Sequence, residues 1–179
     1  MLDRENTALV LIDVQDKLFR VMHDKDQLLD KLQRLVRGMQ ILEVPIILTE
    51  QYPRGLGHTV NGLANLIPDI TPLEKRVFSC CDDQGFTEML EESGRTDIVA
   101  CGIEAHVCVY QTVAQLCERE YTVEVVADGI TSRTPYDKEI GLRKMEQLGA
   151  GLTTVEMVLF ELQRVAKGEK FKQISQVIK

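Results

Sequence analysis

Residues 96–127 read TDIVACGIEAHVCVYQTVAQLCEREYTVEVVA. The outer pieces, 96–101 and 122–127, are short and rich in Val, Ile, Ala and Cys, which suits strands buried on both faces. The interval 104–120 is long enough for a helix of about four to five turns. A strand, a helix and a second strand make a crossover, which joins parallel neighbours with a right-handed path. Working outward, the same alternation continues. Helix 136–148, opened by Thr134-Pro135 as cap and first helical residue, leads to strand 151–155 and helix 156–166. Upstream, strand 7–14 (TALVLIDV), helix 25–42 and strand 44–49 (VPIILT) repeat it, with Leu28, Leu32, Leu35, Val36 and Met39 at helical spacing. Residues 50–72 are irregular and punctuated by Gly and Pro. A short edge strand over 75–79 and a helix over 84–92 follow, and 169–179 reads as a frayed helix or tail. The expectation is an α/β fold over residues 1–179: one three-layer domain, a mostly parallel sheet with helices on both faces.

Composition narrows the partners. The chain has 179 residues, 44% of them apolar, with 21 Lys plus Arg against 28 Asp plus Glu, a net charge of −7. With no basic stripe, neither nucleic acid nor an anionic membrane is an expected partner. The first apolar run stops at Asp13, too short for a signal core or a membrane span. Five cysteines, an odd number without a CxxC pair, read as reduced thiols of a cytoplasmic protein. After the first strand, Gln15-Asp16-Lys17 stands where a dinucleotide-binding fold needs glycines. Gly55-Leu56-Gly57 lacks the flanking strand and helix of a phosphate cradle. No cofactor is expected, and a small molecule is the expected ligand.

In such sheets ligands bind beyond the carboxyl ends of the strands, which directs attention to Asp13, 49–52, 102–108 and 128–133. Cys108 lies where a strand breaks at Gly102 and re-enters as a helix. Free N–H groups and the dipole there would lower a thiol from its usual pKa of about 8.5. A buried structural cysteine is an equally open reading. Asp13 reads as a general acid or base, or as a capping residue. Lys75 reads as a fixed ammonium beside those groups, or as a surface charge. His106, two residues from Cys108, points to another face of the helix and makes no pair with it. Cys80-Cys81, Cys101 and Cys117 read as packing, and His23 and His58 as loop residues.

Three segments, 8–15 (ALVLIDVQ) with Phe19, 73–79 (LEKRVFS) and 102–109 (GIEAHVCV), resemble the isochorismatase-like cysteine hydrolases. The stretch 49–58 (TEQYPRGLGH) is similar, more narrowly, to isochorismatase-domain-containing proteins. The resemblance implies a triad of Asp13, Lys75 and Cys108. It also implies a cis peptide between Ile103 and Glu104, and an oxyanion hole from the N–H groups of Glu104 and Cys108. It places Phe19, Gln51, Tyr52 and His58 around the substrate. The nicotinamidase branch carries an Asp-x-His metal run that 49–52 lacks, so no metal is expected.

The leading functional expectation is a cysteine hydrolase of a small amide or related carbonyl compound, acting through a thioester. One alternative is a vinyl-ether hydrolase of an isochorismate-like diacid, for whose carboxylates Arg54 and Arg133 are the basic groups on suitable loops. A second is a non-catalytic oligomeric binding module. In each case the resemblance implies a homo-oligomer, a dimer or larger.

Overall fold

The computed structural model describes residues 1–179. β1 (Thr7–Ile12) is buried along its whole length. A four-residue α1 (Asp16–Phe19) leads to α2 (Lys25–Leu42), where Leu28, Leu32, Leu35, Val36 and Met39 are all buried, as their spacing predicts. β2 (Ile46–Gln51) lies two residues later than expected at both ends. Two single-turn helices, α3 (Pro53–Leu56) and α4 (Asn61–Ala64), stand inside the stretch read as irregular.

β3 (Leu73–Lys75) ends where the sequence placed the start of an edge strand. The reason lies in its partner. Gln51 pairs with Lys75, and the next residue of β2, Tyr52, turns away at φ 39°, leaving 76–79 nothing to pair with. A 3₁₀ turn at Cys80–Asp82 and α5 (Gln84–Ser93) follow, the helix capped by the Asp83 carboxylate, which accepts from the Phe86 N–H at 3.3 Å.

β4 (Asp97–Ile103) opens into a widened π turn at Ala105–Val109 before α6 (Tyr110–Glu118). β5 (Thr122–Thr131) runs four residues beyond the expected end, because a register shift lets the chain pair again after Asp128-Gly129: Ala100 faces Val125, but Gly102 faces Ile130. α7 (Pro135–Gln147) starts at the Thr134 cap, β6 (Gly151–Thr153) is shorter than expected, and α8 (Val155–Gln163) is capped by Thr154. The final residues are neither frayed nor a tail. They form α9 (Glu169–Ile178), which buries Ile174 in the cluster that α2 supplies.

All pairings are parallel, in the order β3-β2-β1-β4-β5-β6. Alternate residues of each strand feed two cores. Leu9, Leu11, Leu48 and Val99 pack with α2, α8 and α9. Val10, Ile12, Ile98 and Ala100 pack with α5, α6 and α7. The chain first grows outward from β1 and then returns to lay β4 on its other side, so the carboxyl ends of β1 and β4 flank a topological switch point. No helix is long and apolar enough to cross a membrane.

Gly102 sits at that switch point with φ +119°, and a Cβ there would lie 2.1 Å from the Ile12 carbonyl oxygen. Both backbones are central strands that cannot shift. Gly102→Ala is therefore expected to cost more than about 4 kcal/mol, measured by urea denaturation.

Candidate active site

Asp13 is the first residue past β1 and takes a left-handed conformation, φ 53°. Its N–H donates to the Thr49 carbonyl at 3.2 Å, which keeps it attached to the sheet while its side chain turns into the crevice. The carboxylate is fully buried. Oδ1 accepts from the Thr49 hydroxyl at 2.8 Å and Oδ2 from the Lys75 ammonium at 2.6 Å.

Lys75 ends β3, two strands from Asp13, and its side chain is also fully buried. Nζ donates to Gln51 Oε1 at 2.8 Å and lies 3.1 Å from the carbonyls of Val77 and Phe78. The segment that leaves the sheet after β3 thus bends around its own lysine. A buried ammonium is tolerable only when its protons are all taken. Burial pulls the Lys75 pKa down, but the negative groups around it, Asp13 foremost, more than reverse this and leave it above the ordinary lysine value.

Cys108 enters from the third direction. β4 ends at a cis peptide between Ile103 and Glu104. The chain then turns so that the N–H groups of Val107 and Val109 both reach the Glu104 carbonyl, at 3.0 and 3.2 Å. The Glu104 N–H donates to no backbone carbonyl. Cys108 is buried, 6% exposed. Burial pushes its thiol well above the usual range, the Asp13 charge pushes it further, and Lys75 opposes them. This corrects the expectation of a lowered pKa. A helix N-terminus is a weaker influence than burial beside a carboxylate.

Of the other residues expected near the substrate, Gln51 joins Asp13 and Lys75. Tyr52 stands beside it on a cavity of about 250 Å³, lined also by Pro53, Arg54, Glu74, Lys75 and Arg76. Phe19 and His58 line a different cavity of about 670 Å³. Strand alternation explains the split, since Thr49 and Gln51 point to one face and Glu50 to the other. Glu50 is buried there. It accepts from the Thr59 N–H and hydroxyl, and its other oxygen lies 3.0 Å from His58 Nδ1. His106 Nδ1 lies 2.9 Å from the Ser132 hydroxyl, away from any pairing with Cys108. Arg133 donates to the Glu104 carboxylate at 2.8 Å. No three His, Cys, Asp or Glu side chains converge to hold a metal ion.

Three residues of the site were given no role there by the sequence reading. Thr49 carries the second hydrogen bond of Asp13. Gln15 ties two loops together, donating to the Gln51 and Gly57 carbonyls and accepting from the Gln51 N–H. Cys80 lies 3.9 Å from the Thr49 hydroxyl, its N–H bonded to Thr112 and its thiol pushed up to about 12, chiefly by burial.

A family model for the isochorismatase domain matches residues 7–157. "Isochorismatase family protein 1B" of Dictyostelium discoideum is 34% identical over 98% of this chain and 87% of its own. A solved structure described as MAR1 ribonuclease from Caenorhabditis elegans is 36% identical, covers 99% of this chain and 91% of its own, and superimposes with a TM-score of 0.93. The YcaC gene product of Escherichia coli, described as an octameric hydrolase of unknown specificity, has the same TM-score of 0.93 at 23% identity, over 99% of this chain and 88% of its own.

Lys75→Met strands a buried carboxylate and is expected to cost about 3–5 kcal/mol in chemical denaturation. The wild-type pair stabilises throughout neutral pH. Because the Lys75 pKa is raised on folding, its contribution is lost only as pH climbs beyond the ordinary lysine range. Alkylation of Cys108 by iodoacetamide, followed by peptide mass spectrometry, is expected to show an apparent pKa above the free-thiol value. Asp13→Asn removes the adjacent negative charge and should bring it down.

Proposed function

The chain belongs to the isochorismatase domain family, and from that premise we propose that it is a cysteine hydrolase of a small amide or related carbonyl compound. The observation that carries this reading is the buried Asp13–Lys75 pair at 2.6 Å, with the buried Cys108 thiol close enough to both for their charges to act on it.

Asp13 accepts the Cys108 proton as the sulfur attacks the substrate carbonyl, so the thiolate exists only while the bond forms. Lys75 stays charged throughout and limits the cost of moving that proton. The N–H groups of Glu104 and Cys108 receive the oxyanion, a contribution of about 3–4 kcal/mol per donor in comparable sites. Asp13 then protonates the departing amine, and water hydrolyses the thioester. Gln51, held by Lys75 and Gln15, borders the reacting carbonyl.

Five unpaired thiols support a reducing, cytoplasmic setting. The net charge of −7 opposes a polyanion such as RNA as substrate. The octamer described for the Escherichia coli neighbour supports a homo-oligomer, and sedimentation equilibrium is expected to give a mass at least twice that of one chain.

The test of the chemistry uses 4-nitrophenyl acetate as an activated acyl donor. Wild-type protein is expected to release a burst of nitrophenolate and to carry an acetyl group on the Cys108 peptide. Asp13→Asn should slow acylation by about 10²–10⁴-fold. A Cys108→Ala protein with wild-type turnover overturns the nucleophile and leaves the vinyl-ether reading in its place.

A further inference from the structure

Most of the arginines are already engaged. Arg4, Arg20, Arg133 and Arg143 are held by carboxylates, and Arg34, Arg95, Arg119 and Arg164 reach backbone carbonyls. Three remain without a hydrogen-bonded or ion-paired partner: Arg37, exposed on α2, and Arg54 and Arg76. The last two come from different segments, α3 and the residue after β3, yet both line the same cavity of about 250 Å³. Among the cavities described, this is the one whose lining includes Lys75, the residue whose buried side chain holds Asp13. In a chain of net charge −7, two uncompensated guanidinium groups facing one recess, with Glu74 the sole acid of its lining, make a local reversal of sign.

The recess is also preorganised. The Arg76 guanidinium lies 4.1 Å over the Tyr52 ring, whose negative face orients it without neutralising it. One edge of the ring in turn packs against Gly55, where a Cβ would come 2.5 Å from two of its carbons. Arg76 is thereby held beside the cavity with its N–H groups free for a second interaction.

We propose that Arg54 and Arg76 form an oxyanion subsite, and that the hydrolysed substrate carries a small anionic group, a carboxylate or a phosphate, distal to its scissile carbonyl. This rests on the hydrolase reading and adds to it a charge requirement. Guanidinium groups bind such anions in two-point geometry, which fixes orientation as well as position. Lys75 takes no direct part, because its protons are already committed.

Titration calorimetry at low salt, with succinate and with inorganic phosphate as probes, tests the subsite itself. Saturable binding that falls about tenfold or more in Arg54→Gln/Arg76→Gln, and is unchanged in Arg37→Gln, supports it. All three side chains are exposed, so the variants are expected to fold. Succinate binding alone identifies a carboxylate, and phosphate binding alone a phosphate. Absence of binding by both, or equal binding in the double variant, overturns the proposal. The link to substrate is read from two esters of matched size, mono-4-nitrophenyl glutarate and 4-nitrophenyl valerate. Wild-type kcat/KM is expected to favour the anionic ester by about tenfold, and the double variant to lose that preference. Equal rates in wild type overturn the substrate assignment. Acetylation of Cys108 by neutral 4-nitrophenyl acetate needs no anion site, so failure of the nucleophile and failure of the subsite give different results.

Discussion

Two opposite charges, each with its side chain wholly shielded from water, meet at 2.6 Å in the middle of this protein. Neither would be tolerated alone. The desolvation cost of either ion is several kcal/mol, and the surrounding backbone is arranged to offset it. Thr49, on the strand between their two strands, supplies the second partner of Asp13. Gln51, two residues on and on the same face, supplies another for Lys75. The carbonyls of Val77 and Phe78 close the shell. The path of the chain after β3 follows from this demand: those carbonyls can serve the ammonium only if the segment leaves the sheet.

That dependence explains what the sequence could and could not convey. The alternation of short apolar strands with helices, and the spacing of Leu28, Leu32, Leu35, Val36 and Met39, are local signals and led to the observed layers. Topology then drew Asp13, Lys75 and Cys108 to one rim before any contact was known. Residues 76–79 misled, because Val77 and Phe78 have strand-like composition. Their actual placement is decided by a carboxylate 62 residues from the lysine they enclose. β5 misled in the other direction, since its apolar run ends at 127 and the Asp128-Gly129 that follows is absorbed as a register shift. His58 went to the opposite face because its orientation depends on Glu50, and nothing near it in sequence reports which way that side chain points.

The proton on Cys108 was the subtlest difference. A helix start suggests a thiolate waiting for substrate, whereas the burial and the carboxylate that surround this sulfur hold it as a thiol. The distinction changes how the site avoids damage. A standing thiolate is open to any oxidant or electrophile that reaches it, and a protonated sulfur is not. In the proposed reaction, coupling deprotonation to attack ties reactivity to the presence of a carbonyl in the right place.

The order of strands in the sheet also governs when this cluster of side chains can first exist. β1 is made early but lies between β2 and β4, and β4 begins only at Asp97. During synthesis the carboxylate therefore emerges long before the thiol, and β1 lacks one of its two neighbours until more than half the chain has been made. Parallel pairings of such separation close late in folding. A growing chain consequently carries its acid, its ammonium and its sulfur as ordinary solvated groups, and the buried cluster of Asp13, Lys75 and Cys108 is assembled by the same event that completes the central sheet.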